Sequence, residues 1–178
     1  MKNITYFDAS VDIHENEMKR FSNMYDKNIA EQFKIMQNDI MSKEIPILTK
    51  LLMEGSFEMG YESLAEKYFN QLSLSYGTIA DTVLQNIYLQ NMYGDQHLLK
   101  HLLFIVGNLP VSRRGNLEII PLAGISNPDI EIQDLSVKCF ESWEDKRHLP
   151  TLIGLYERTD VEWFKDYIND VIEELNED

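Results

Sequence analysis

Along nearly the whole chain the apolar side chains recur at spacings of three and four, and strand-like alternation is hard to find. A chain with that period hides its stripes by packing helix against helix. The expected class is all-α, with about ten antiparallel helices in one domain over residues 1–178. In the N-terminal third, Met18, Phe21 and Tyr25 mark one helix, and Ile29, Phe33, Met36 and Ile40 mark a second. A third carries Ile45, Leu48, Leu51 and Leu52 around Pro46. Proline is tolerated in a first turn, where its missing N–H has no partner, so a break is expected at Ser42. Gly55 closes this helix. Leu64, Tyr68 and Leu72 line the next as far as Gly77, and Ile79, Val83 and Ile87 line another that stops at Gly94. The stripe Leu98, Leu99, Leu102, Leu103 and Val106 is so apolar that its helix is expected at the centre of the fold, covered on more than one side.

From Gly107 onward the pattern is more regular. Asn127-Pro128 reads as a helix start, with Asn accepting from orphan N–H groups and Pro pre-set for the first helical position. Ile132, Leu135, Cys139, Phe140 and Trp143 form the stripe behind it. A polar turn, Glu144-Asp145-Lys146, leads to a shorter helix presenting Leu149, Leu152, Ile153 and Tyr156. Thr159 and Glu162 have the spacing of a capping box for a last helix with Val161, Phe164, Ile168, Val171, Ile172 and Leu175 on one face. Shifting the sequence by 32 residues superimposes Ile132 on Phe164, Leu135 on Tyr167, Cys139 on Val171, Phe140 on Ile172 and Trp143 on Leu175. An internal period of that length is the mark of a helical repeat.

The stretch NPDIEIQDLSVKCFESWEDKRHLPTLIGLYERTDVEWFKDYINDVIEEL resembles HEAT repeats of the armadillo type. The resemblance rests on the Asn-Pro entry, Val137-Lys138 in the first helix, the exit Trp143-Glu144-Asp145 and the Leu149-Pro150 start of the second helix. Upstream, HLLKHLLFIVGNL and NLEIIPLAGI look like a degenerate unit, with Ile120-Pro121 where Leu149-Pro150 stands later. The match covers residues 95–178; residues 1–94 make an irregular helical N-terminal part. It implies a short α-solenoid of antiparallel hairpins in right-handed succession, and a protein that works by binding along a helical face, as adaptors, scaffolds and inhibitors of this family do. A few relatives are DNA glycosylases, which depend on a basic concave face.

This chain is acidic instead: 30 Asp and Glu stand against 16 Lys and Arg, for a formal charge of −14. Such a field repels phosphate backbones and draws in basic proteins, so a basic protein partner is expected and nucleic acid is not. A single cysteine and an N-terminus without an apolar leader point to the reducing cytoplasm. The longest apolar run, Leu102–Leu109, is far short of the ~20 residues that span a bilayer, so no membrane association is expected.

Signs of chemistry are sparse, and neither a cofactor nor a metal is expected. His97 and His101 are four apart and could share a helical face, the geometry for one metal, yet no Glu of H-E-x-x-H and no third ligand accompany them. They read as two polar-face histidines beside the apolar stripe. Cys139 lies on an apolar face, where a thiol is a poor nucleophile. Arg113-Arg114 is a dense basic cluster; it is expected in a long surface loop, solubilising it or catching an anion. No enzyme is expected. The charge is unevenly spread: residues 129–178 carry fifteen acidic and five basic side chains, the rest of the chain fifteen and eleven. On the last helix Trp163 and Tyr167 sit four apart among Glu162, Asp166 and Asp170, with Glu144 and Asp145 in the polar turn one helix earlier. Aromatics supply anchoring energy and surrounding charge steers encounter, which makes these seven residues the candidate partner-binding set. The alternative is that Trp163 and Tyr167 widen the buried stripe. Two functions fit: an inhibitor that neutralises a basic protein, as an immunity protein does a nuclease-type toxin, or a scaffold subunit of a larger assembly.

Overall fold

The computed structural model describes residues 9–58 and 60–177, with side chains described from residue 27 onward. Its elements are α1 (Ala9–Glu54), α2 (Leu64–Tyr76), α3 (Thr78–Asn91), α4 (Gln96–Gly107), α5 (Val111–Arg114), α6 (Ile119–Gly124), α7 (Ile130–Trp143), a 3-10 turn (Lys146–His148), α8 (Leu149–Arg158) and α9 (Glu162–Glu177). The protein is all-helical; among the described residues the single β-bridge joins Glu58 to Tyr61. No helix among the described residues is long and apolar enough to cross a membrane.

Two compact units divide the chain, Met1–Ser42 and Lys43–Asp178. The expectation of three short N-terminal helices is wrong. α1 runs without interruption through Ser42 and Pro46 to Glu54. A proline inside a helix forfeits one backbone hydrogen bond, at a cost of about 3 kcal/mol. Leu48 and Leu52, fully buried two and six residues later, offset that cost, because an aliphatic side chain gains roughly 2 kcal/mol on burial. Within the first unit, Ile29, Phe33 and Met36 are exposed rather than lining a covered stripe. Met18, Phe21 and Tyr25 lie outside the residues whose side chains are described.

In the second unit α4 is central, as its composition requires. It packs on α3, α6 and, most extensively, α7; α7 also packs on α6 and α9, α2 on α3, and α8 on α9. Leu98, Leu99, Leu102, Leu103, Ile105 and Val106 on α4 are buried, as are Cys139 and Phe140 on α7 and Phe164, Ile168 and Val171 on α9. Two glycines allow the close approaches. A Cβ on Gly107 would meet Cys139 Sγ at 3.3 Å, and one on Gly124 would sit 2.1 Å from Ser136 Oγ. Ser136 cannot yield easily, since its hydroxyl is buried and donates to the Ile132 carbonyl at 2.7 Å.

Several faces and caps differ from the sequence reading. On α2 the buried line is Ala65, Phe69, Leu72 and Ser73, and Leu64 is exposed. On α8 it is Leu152 and Leu155, with Ile153 exposed. Asn127 does not cap α7. Its Oδ1 accepts from Asp129 N–H in a local turn and its Nδ2 donates to the Met92 carbonyl, while Asp129 is the N-cap and accepts from Glu131 N–H. Thr159 makes no capping box, because its hydroxyl donates backward to Leu155 O at 2.7 Å and finishes α8. The Arg113-Arg114 segment is helix α5 rather than a long loop.

Candidate functional site

The seven candidate residues separate into two groups. On α9, Glu162, Trp163, Asp166 and Asp170 are exposed. Trp163 leaves 54% of its surface open, so it does not widen the core, although its ring touches Phe164 with centroids 5.5 Å apart. Tyr167 does turn inward. Half-buried, it donates its hydroxyl to Glu141 Oε2 on α7 at 2.5 Å. Burial first, and then the bond to Glu141, push its phenol above the usual range, so it stays a donor. α9 therefore turns one flank to α7 through Tyr167 and the other to α8, where Lys165 stands 4.8 Å from the Tyr156 ring. Along the α7 flank run Trp163, Tyr167 and Asp170, neighbours by helical spacing.

The two turn residues have structural duties. Asp145 caps the 3-10 turn through Arg147 N–H and grips the Arg147 guanidinium, with contacts at 2.6–3.1 Å that hold its carboxyl below the usual range. Glu144 is the C-cap of α7 with φ 50°, in the left-handed region where glycine is the usual occupant. Its side chain is exposed.

Against the α7–α9 strip lies a feature with no trace in the sequence, a groove of about 490 Å³ between α4 and α7. Phe57, Leu103, Phe104, Leu135 and Cys139 supply its apolar surface, and Asn108, Lys138, Glu141 and Ser142 its polar edge. Lys138 is already engaged: its ammonium bonds Asp134 at 2.7 Å and lies 6.0 Å from the Tyr167 ring centre. Glu141 is thus shared between the groove edge and the α9 flank. Cys139 is buried, its thiol donates to Leu103 O at 3.3 Å, and burial pushes the thiol well above its ordinary pKa, so it is unsuited to nucleophilic work.

The histidines are not a polar-face pair. His101 is fully buried. Its Nδ1 lies 3.1 Å from the Leu52 carbonyl, which can only accept, so Nδ1 carries the hydrogen and Nε2 accepts from Ser63 Oγ–H at 2.8 Å. Ser63 in turn caps α2 by accepting from Glu66 N–H. His97 meets the Gly55 carbonyl at 2.9 Å, and Phe57 stacks on His101 with ring centres 4.9 Å apart. Together the two imidazoles fasten Leu52, Gly55 and Ser63 onto α4. Among the described residues no group of three or more His, Cys, Asp or Glu could hold a metal ion.

This network has a pH signature. Burial, reinforced by His97, lowers the His101 pKa below its ordinary value against the opposing Leu52 bond, so the native state holds a neutral ring. The unfolded chain takes up that proton near pH 6.5, so the stabilisation is complete above that value and is lost as pH falls toward the lower folded pKa. The melting temperature should therefore decline between pH 7 and 5.5, and His101→Gln, which can still donate and accept, should flatten the decline. An unaltered slope in that variant would remove His101 from the account.

Arg113 and Arg114 are engaged within the protein. Arg113 Nη2 donates to Ser73 Oγ at 2.6 Å and to the buried Asp81 at 3.1 Å, with its guanidinium 5.4 Å from the Phe69 ring centre. Arg114 donates to the carbonyls of Leu109, Ser142 and Trp143, closing the C-terminal end of α7. Both are internal struts.

Comparison of the chain with family models, curated proteins and solved structures gives no match in any of the three.

Proposed function

We propose that the chain is a non-catalytic, HEAT-like interaction protein whose acidic C-terminal surface binds and neutralises a basic protein, in the manner of an immunity protein. The observation that carries this reading is an exposed tryptophan set among three exposed carboxylates, Glu162, Asp166 and Asp170, none of which pairs with a basic side chain among the described residues. An indole is an effective anchor, and uncompensated acid around it attracts a cationic partner from a distance. The HEAT-like part is supported by burial. Of the pairs that the 32-residue offset superimposes, Ile132 and Phe164, Cys139 and Val171, and Trp143 and Leu175 are each buried on both members. A second reading, a scaffold subunit, draws support from Leu74, Leu89, Tyr93 and Val111, large apolar side chains exposed on segments other than α9.

The discriminating experiment is recovery of partners on the immobilised chain followed by binding kinetics with the dominant one. The inhibitor reading expects one basic protein; the scaffold reading expects a multi-subunit assembly. Raising salt from about 50 to about 500 mM should slow association at least tenfold and change dissociation much less, because screening acts on long-range steering. The triple replacement Glu162→Lys, Asp166→Lys and Asp170→Lys should weaken binding about a hundredfold or more with helicity unchanged. Unchanged affinity in that variant would reduce the α9 face to a solvated surface.

A further inference from the structure

We propose that the element docking on this surface is a basic amphipathic helix, its apolar side chains seated in the α4–α7 groove and its Lys or Arg side chains set against the carboxylates of α7 and α9. This deepens the acidic-surface reading and rests on it. The volume of about 490 Å³ would also suit a small molecule, so size does not choose the occupant. The charge at the edge does. Among the described lining residues the cation is Lys138, which is committed to Asp134, while Glu141 opens toward α9, where Asp170 lies one turn from Tyr167 and Asp166 beside it. An apolar ligand with a carboxylate or phosphate head would meet uncompensated negative charge. An apolar surface fringed with cations would meet its complement.

The fold chooses the conformation of the occupant. An extended peptide gains its affinity by adding to an open sheet edge; among the described residues the long walls of the groove are helices α4 and α7, and the segment that adds Phe57 and Gly60 carries only the isolated Glu58–Tyr61 bridge. What remains is helix-in-groove docking, in which side chains at i, i+3, i+4 and i+7 enter one apolar trough. Phe57, Phe104 and Leu135, all partly exposed, line such a trough together with the buried Leu103 and Cys139. Glu141, which lines the groove and accepts from Tyr167, joins its edge to α9.

Three labelled 14-residue helical peptides test this against the full chain by fluorescence anisotropy: one with a Leu face and Lys elsewhere, one with Ala for Leu, and one with Glu for Lys. The Leu/Lys peptide should bind saturably and at least tenfold more tightly than Ala/Lys, and the Leu/Glu peptide should not bind. Ser142→Trp, at an exposed position on the groove edge, should erase the Leu/Lys advantage with the circular dichroism spectrum unchanged. Equal binding of Leu/Lys and Ala/Lys, or an advantage that survives Ser142→Trp, overturns the groove proposal and leaves the acidic-surface reading standing. Leu/Glu binding as tight as Leu/Lys overturns the assignment of a basic occupant. Failure of both Lys peptides sinks the docking proposal and the acidic-surface reading together.

Discussion

Leu102→Asp should abolish the cooperative melting transition. Leu102 is wholly buried on α4, the helix that α3, α6 and α7 all pack against. The substitution removes a leucine side chain, worth about 2–5 kcal/mol when a core leucine is truncated, and places in the space left a carboxyl with no hydrogen-bond partner, which costs several more. A domain with ~5–15 kcal/mol of total stability does not survive that sum with its native structure intact. Thermal unfolding followed by circular dichroism decides the matter. A variant that melts near the wild-type temperature would show that α4 is peripheral and that the packing order described for the second unit is wrong.

Arg113→Ala comes next, with an expected loss of about 3 kcal/mol, the lower end for breaking a buried ion pair, because part of the guanidinium reaches solvent. Its partner Asp81 has only 8% of its side-chain surface exposed and would be left with Asn116 at 3.4 Å. The penalty arises from the stranded carboxylate more than from the missing arginine. Adding Asp81→Asn to Arg113→Ala should therefore recover a large part of the loss, although Asp81→Asn in the wild-type background destabilises. Urea denaturation of the four proteins gives the coupling energy directly. Strictly additive losses would show that the two side chains do not interact and that Arg113 acts through Phe69 or Ser73 alone.

The positions of the helices in the second unit were legible because each carries a strong three-and-four stripe and ends at a recognisable breaker, as α2 does at Gly77. Which face turns inward was less legible. Leu64 is the more apolar residue, yet Ala65 is the buried one, since close helix packing favours a small side chain that hydrophobicity does not single out. Caps failed for a related reason: Asn127 and Asp129 are both good caps, and the choice fell to a bond from Asn127 to Met92, 35 residues away. Pro46 misled because the local rule against helix-interior proline was outweighed by the burial of Leu48 and Leu52. Of the candidate site, the exposure of Glu162, Asp166 and Asp170 was readable from spacing, whereas spacing left Trp163 open between surface and core. The fates of Arg113, Arg114, His101 and Tyr167 were not, because each has a partner between 26 and 49 residues away along the chain. The groove was invisible for the same cause, being assembled from segments around Phe57, Phe104 and Leu135.

The two glycine contacts on α7 bear on recognition as well as packing. With Gly107 of α4 against Cys139 and Gly124 of α6 against Ser136, the helix is gripped from two sides at near-minimal separation, and it has little room to slide or roll. Lys138 and Glu141 project from that gripped segment, and the bonds to Asp134 and Tyr167 fix their rotamers in the unbound molecule. Ordering a flexible side chain at an interface costs about 0.5–1.5 kcal/mol, a cost this edge has largely met before any partner arrives. A helix docking here meets a preorganised surface, and its own folding becomes the main entropic toll of association.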